Sequence, residues 1–288
     1  MGIQNTGAIA VTDVSTEFGG DAPHAISEYY GAASGIPSSG QIALSDFYGA
    51  SASYTIEYYV VAGGGGGGAH GNNQSGGGAG AGGVRYGTQT INGGTTYSIV
   101  VGAKGNCNSS NNGNGNNGGA SSAFGLSCTG GGRGGGRNQR GGSGGSGGGG
   151  AWHRGNRNPG SGISGEGHSG AYQARQSNTY RGGGGGGAGS AGLYQNNPTL
   201  NGTGPGGNGT SVFGVTHAQG GDGRPGAGSS STGNVTDYRG HGGNAGKSGS
   251  NGVVRIRYAG NQKANGGSVA TSGGYTYHDF LTSGDFVT

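Results

Sequence analysis

Tyr54-Thr55-Ile56-Glu57-Tyr58-Tyr59-Val60-Val61-Ala62 runs without a break into Gly63-Gly64-Gly65-Gly66-Gly67-Gly68. The first part is β-branched and aromatic, the composition of a strand. The second part carries no side chains at all, and the glycines beyond it are phased. Positions 65, 68, 71, 77, 80 and 83 are glycine, spaced by three with a gap at Gln74. The same spacing holds at 132, 135, 141, 144, 147 and 150 with a gap at Asn138, at 183, 186, 189 and 192, and at 240, 243, 246, 249 and 252. A period of three belongs to the polyproline-II-type helix, which makes no internal hydrogen bonds. Glycine once per turn lets such helices touch backbone to backbone, so that their amides pair between helices. The predicted fold is therefore mostly irregular and β: a sandwich of polyglycine-II-type helices flanked by short β-strands, with a small N-terminal module.

Composition supports the same division. Of 288 residues 83 are glycine, only eight of them in residues 1–60 and seven in 251–288. Hydrophobic residues make up 28% and charged residues 9%. A helical bundle or a doubly wound α/β enzyme is excluded, because glycine costs about 1 kcal/mol per helical position and no 3.6-residue apolar stripe exists. Strict Gly-X-Y is absent, which excludes collagen. The predicted organisation is residues 1–50 as an attachment module, 51–258 as a glycine-rich domain and 259–288 as a terminal strand element. The net charge of +4 hides an asymmetry. Residues 1–60 hold Asp13, Glu17, Asp21, Glu28, Asp46 and Glu57 and no Lys or Arg, whereas 61–250 are basic. Such polarity suggests partners of different character at the two ends.

The N-terminal module contains a short repeat. Ala10-Val11-Thr12-Asp13-Val14, Ala25-Ile26-Ser27-Glu28-Tyr29-Tyr30-Gly31-Ala32 and Ala43-Leu44-Ser45-Asp46-Phe47-Tyr48-Gly49-Ala50 share one order: small, aliphatic, hydroxyl, acid, aromatic or aliphatic. A hydroxyl followed by an acid signals a helix N-cap, and the glycines end each turn. Three one-turn helices are expected, gathering Tyr29, Tyr30, Phe47 and Tyr48 into one cluster. Further strands are expected at Thr96–Val101 and at Val253–Tyr258, with Arg255 and Arg257 on one face and Val254, Ile256 and Tyr258 on the other. Ser121-Ser122-Ala123-Phe124-Gly125 and Thr210-Ser211-Val212-Phe213-Gly214 sit in matching contexts, a hint of internal duplication.

Between the glycine runs lie insertions rich in Tyr, Trp, Arg, Asn and Ser, which would gather at the bundle ends as a binding surface. Asn and Gly also make good turns, but turns do not call for Trp152 or for the seven arginines from Arg133 to Arg181. The residues singled out for receptor contact are Trp152, His153, Arg154, Tyr172, Arg175 and Tyr180, with Tyr194 and Tyr238 behind them. No catalytic residues, metal site or cofactor are expected. Gly246-Lys247-Ser248 lacks the first glycine of a phosphate loop, the seven histidines have no ligand spacing, and Glu166 and Asp222 have no evident partner. Three widely separated Arg-Gly-Gly triplets are too few for nucleic-acid binding, and no run approaches a membrane span. Cys107 and Cys128 could close one loop or stand as two free thiols.

The ordered series of pieces resembles a known family. Gly7-Ala8-Ile9-Ala10 with the Ser45-Asp46-Phe47-Tyr48-Gly49-Ala50 ending is similar to the N-terminal module of many tailed-phage tail proteins. Tyr59-Val60-Val61-Ala62 before Gly63–Gly68, then Tyr97–Ala103, Ser121–Gly125 and Gly252–Tyr258 resemble the glycine-rich tail domain of those phages. Gly274–Phe280 with Ser283–Phe286 is similar to the strand that commonly opens another such domain, and could close this domain's sheet or pair with a neighbour. The resemblance implies a tail-fibre tip adhesin in the virion. Its N-terminal module, through Tyr29, Tyr30, Phe47 and Tyr48, would dock on a tail fibre or baseplate protein. Its loops would meet a host outer-membrane protein or surface glycan, with neither nucleic acid nor membrane insertion involved. A purely structural tail or baseplate component is the alternative.

Overall fold

The computed structural model describes residues 2–69, 75–108, 113–137, 139–151, 158–176, 179–194, 204–223 and 239–288. These residues are mostly β and irregular, with one α-helix, α1 (Val11–Phe18). The strands are β1 (Tyr54–Val61), β2 (Val84–Ile91), β3 (Thr96–Ile99), β4 (Ser121–Ala123), β5 (Leu126–Cys128), β6 (Ala174–Gln176), β7 (Thr179–Arg181), β8 (Thr210–Val212), β9 (Val215–His217), β10 (Val253–Ala259), β11 (Ser268–Ser272), β12 (Tyr275–Phe280) and β13 (Gly284–Val287). Five of them form an open antiparallel sheet in the order β11-β12-β10-β1-β2. β13 pairs with β3, so the last strands close this chain's own sheets.

Both faces of β1 and β10 are covered. Ile56, Tyr58, Val60, Val254, Ile256 and Tyr258 point into one core with Ile91, Ile99, Phe280 and Phe286. Tyr59, Val61 and Val253 point the other way, against Val84, Ala218 and Phe213. The duplicated segments are the two covers. β4–β5 and β8–β9 are hairpins whose turns, Phe124-Gly125 and Phe213-Gly214, have φ of 50° and 77° and of 50° and 76°. Two left-handed residues in a two-residue loop suit the twist of a hairpin, but Phe is a costly choice there. Ring contacts account for it. Phe124 lies 5.1 Å from Tyr58 and 5.3 Å from Tyr97, and Phe213 lies 4.1 Å under the Arg257 guanidinium. Arg257 is also held by both Glu57 carboxylate oxygens at 3.1 and 2.8 Å, and Arg255 by both of Asp279 at 2.7 and 3.1 Å. The expected arginine face is thus an internally neutralised one.

The N-terminal module has its own core of Ile3, Val14, Tyr29, Ile36, Phe47 and Ala50. The three repeats do form α1 and two short 3-10 turns, Ile26–Tyr29 and Leu44–Phe47. Their caps differ from the expectation. Alanine occupies each cap position, and the acid three residues on reaches back to its amide: Ala10 N to Asp13 at 2.8 Å, Ala25 N to Glu28 at 3.0 Å, Ala43 N to Asp46 at 2.8 Å. The hydroxyl residue lies two positions too deep in each turn to cap it. The four aromatics also divide. Tyr29 and Phe47 are buried with Phe18, whereas Tyr30 and Tyr48 are 37% and 42% exposed and donate to the carbonyls of Gly40 and Gly7.

Beyond the sheet, glycine segments pack side by side. In the first, Gly63, Gly66 and Ala69 donate to the carbonyls of Gly119, Asn116 and Gly113, Gly64 and Gly67 to Ser250 and Lys247, and Gly65 and Gly68 to Gly80 and Gly77. Partners alternate with a period of three. Segment 75–83 lies at the centre. Gly77, Gly80 and Gly83 donate to 135, 132 and 129, Gly78 and Ala81 to 183 and 186, Ala79 and Gly82 to 243 and 240, all at 2.8–3.0 Å. Its carbonyls accept from Gly68, Gly65 and Ala62 on one neighbour, from Gly149 and Ser146 on a second and from Gly221 on a third. Six segments therefore surround it, and its buried amides find partners without any sheet ladder. None of Gly63–Gly68 or Gly76–Gly83 has positive φ. Glycine serves here because it lacks Cβ: a Cβ at Gly78 would lie 2.0 Å from the Gly221 carbonyl oxygen, and one at Gly80 2.0 Å from that of Ser146.

Not every phased run is one straight segment. Gly142 accepts from Gly148 and Gln139 from Ala151, so the chain reverses near 145; Gly187 donates to Ser190, reversing the run 183–192; and Lys247 donates to Asn244, reversing 240–252. Phasing persists across each reversal because these segments are glycine-rich on both sides.

Two predictions follow from this packing. Gly80→Ala should destabilise by at least ~3 kcal/mol, since overpacking here meets backbone rather than a movable side chain. Gly284→Ala, whose nearest neighbour would be Phe280 at 3.9 Å, should stay within about 0.5 kcal/mol; denaturant unfolding of both variants compares them. His217 is 2% exposed, its ring nitrogens have no hydrogen-bond partner, and burial, with Arg255, His241 and Arg239 nearby, lowers its pKa to about 3. The unfolded chain takes up that proton near pH 6.5. Stability is then fullest above about pH 6.5 and falls toward pH 3 by up to ~1.4 kcal/mol per pH unit. His217→Phe should flatten this slope in melting curves taken across that range.

Candidate functional site at the distal end of the glycine array

The molecule has two poles. Residues 2–50 lead into Tyr54, the end of β1 farthest from the glycine array, and Glu17 anchors the junction by accepting from Ser51 Oγ and Ala52 N at 3.0 Å each. β1 ends at Val61, and the array begins there. Within the array, hydrogen-bond register defines a layer next to the sheet (residues 62–63, 83, 119, 130, 145, 187, 240 and 252) and a distal layer (68–69, 77, 113, 135, 150–151, 171, 183–184, 193 and 205).

The reversals at 145, 188–189 and the two clamping hairpins lie at the sheet end. The described residues that flank 70–74, 109–112, 138, 152–157, 177–178 and 195–203 lie at the distal end. Glycine packing produces this separation: a segment that leaves the sheet can turn back only where the array stops.

Several residues singled out from the sequence meet there. Tyr172 is 53% exposed and Tyr194 57%, next to Leu193 at 58%. Arg175 and Tyr180 are direct cross-strand partners in the β6–β7 hairpin. Trp152, His153, Arg154 and Tyr238 lie outside the described residues. Arg137, Arg140 and Lys247 also belong to this end, and Leu193 with them. Their signal was position: each sits beside a reversal or an insertion. Asp222, expected without a partner, accepts from Gly206 N at 2.8 Å.

Acidic charge at the other pole is used internally. Asp13, Glu28 and Asp46 cap turns, Glu17 holds the junction and Glu57 holds Arg257. The charge asymmetry read from the sequence thus supports the fold before it supports any partner. Among the described residues no group of three His, Cys, Asp or Glu side chains could hold a metal ion, and no helix is long and apolar enough to cross a membrane.

Both cysteines are free thiols here. Cys128 is buried and its Sγ donates to the Val60 carbonyl at 3.4 Å, whereas Cys107 Sγ accepts from Ser248 Oγ at 3.7 Å. Burial, with Glu166 nearby, pushes the Cys128 thiol up to about 12. At pH 8 the native protein should therefore react with one equivalent of a thiol reagent, at Cys107, and with the second only on unfolding; mass spectrometry of the labelled peptides checks this.

Residues 38–259 match the family described as a glycine-rich domain, a span that starts in the last turn-bearing part of the N-terminal module and ends with β10. Among curated proteins and among solved structures, none matches the chain.

Proposed function

The chain belongs to the glycine-rich domain family, and from that premise we propose that it is a non-enzymatic virion protein, a phage tail-fibre tip adhesin. Its N-terminal module attaches to a tail fibre or baseplate protein, and its distal face meets a host outer-membrane protein or surface glycan. One observation carries the reading: the two-pole layout, with a separately cored module at one end and the exposed Tyr172, Leu193 and Tyr194 at the other. The sequence resemblance to tailed-phage tail proteins supports it independently.

The array is a bundle of polyglycine-II helices in this reading. The period-three alternation of partners and the six neighbours of segment 75–83 support that assignment. At ~3.1 Å per residue, the six residue steps from Gly77 to Gly83 reach about 19 Å, the length of frame between the distal layer and the layer next to the sheet. Such a frame is stiff, so Tyr172, Leu193 and Tyr194 are positioned before they meet a receptor and less ordering entropy opposes binding. The N-terminal module offers Tyr30 and Tyr48 as surface aromatics for the fibre, since Tyr29 and Phe47 are occupied in its core.

Adsorption tests the reading. The purified full chain should bind susceptible cells and compete with the virus, and Tyr172→Ala with Tyr194→Ala should weaken binding about tenfold or more while leaving the melting temperature unchanged. Incorporation into virions with no cell binding would make it a structural tail component instead.

A further inference from the structure

At the sheet end of the array, beside the outer edge of β2, the chain reverses at 163–166 and a cavity of about 890 Å³ opens. Its size falls within the roughly 300–1,000 Å³ of small-molecule sites. The cavity is built around a buried acid. Glu166, with its side chain 4% exposed, accepts from Thr129 N at 2.8 Å through Oε2 and pairs with Arg85 Nη2 at 3.2 Å through Oε1. Its own carbonyl accepts from Val84 N at 3.1 Å, which seals the first rung of the β2 edge. Gly83 makes room for it, since a Cβ there would lie 2.3 Å from Oε2. Burying a carboxylate is costly unless it is paired and hydrogen-bonded. The arrangement fixes one guanidinium edge of Arg85 while its side chain, 41% exposed, lines the cavity.

Tyr86 follows Arg85 along the strand, so the two side chains leave opposite faces of β2 and border the cavity from either side of that edge; Tyr86 is 75% exposed on its rim. Ser164, His168, Ser169 and Thr210 contribute further polar groups, and Val84, Leu126 and Ala188 an apolar floor. Charge decides the ligand class. Glu166 neutralises Arg85, and among the described residues no other acid, lysine or arginine lines the cavity. A phosphate or carboxylate would find no net positive charge there, and an apolar ligand would leave the hydroxyls and guanidinium unpaired. A flat aromatic ring, a planar donor held in place and several hydroxyls suit a ligand that has many hydroxyls and one apolar face.

We propose that this cavity is a binding groove for a neutral saccharide, with Tyr86 as the stacking platform and the Glu166-held Arg85 as the oriented donor. It lies at the opposite end of the array from the distal face and does not depend on the function of that face.

The test is an NMR titration of the full chain, following the His168 imidazole signals, with maltotriose, cellotriose and chitotriose as neutral probes and trigalacturonate as the charged one. At least one neutral trisaccharide should give a saturable shift in the millimolar range, about tenfold weaker in Tyr86→Ala. That ring is exposed, so the fold survives its removal. Arg85→Lys, which keeps the ion pair but loses the planar fork, should weaken binding several-fold with Tyr86 intact. The proposal is overturned if no neutral probe gives a saturable shift at tens of millimolar, if Tyr86→Ala binds as well as the parent, or if trigalacturonate binds more tightly than all three neutral sugars.

Discussion

A backbone amide that meets a carbonyl of another segment, with no Cβ between them, is the contact on which everything else in this protein depends. In a helix or a sheet the ladder is made along one chain or between two strands, and side chains point away from it. In segment 75–83 donors and acceptors leave in six directions. No side chain can then occupy the space between segments, which is why a methyl at most of these glycines would strike a carbonyl near 2 Å. Alanine survives only where its Cβ is accommodated, as at Ala79 and Ala81, both fully buried. Glycine gives up the most backbone entropy on ordering, and here it is offset by amides paired between segments rather than by a large apolar core.

The sheet and the array solve the same accounting problem in different ways. β1 and β10 bury apolar side chains on both faces, and where β1 passes into Gly63 the burial of side chains gives way to the burial of backbone. The matched hairpins β4–β5 and β8–β9 mark this border from opposite sides. Their corresponding last residues, Cys128 and His217, touch adjacent residues of β1: Cys128 the carbonyl of Val60, and His217 the ring of Tyr59 at 5.0 Å.

Much of this was legible in the sequence, and the parts that were not have identifiable causes. β1, β10 and the two Phe-Gly segments announce themselves because aromatic and β-branched runs stand out against glycine. β2 does not, because Gly87 interrupts its alternation; that glycine lets the Tyr58 ring lie across the strand, with Tyr58 Oη 3.0 Å from where a Cβ would be. The reversals near 145, 188 and 246 were hidden because the same residue type builds both a straight segment and its turn. Of the distal residues, Tyr172 and Tyr194 were found from their setting between glycine runs. The pairing of Glu166 with Arg85 was not, since 81 positions of sequence separate them and no local pattern connects them.

The array also closes on itself. Gly64 bonds to Ser250 and Gly67 to Lys247, so the first glycine segment after β1 finds one set of partners only in the last one before β10. Contacts this remote in sequence are the slow kind to form. A growing chain must carry the amides of Gly64 and Gly67, solvated and unpaired, until almost all of the later glycines exist. Few sequences could wait safely, because exposed apolar runs aggregate. A chain of glycine, serine and asparagine can, since its unpaired state is simply a hydrated one, and the array is complete only when its last segment arrives.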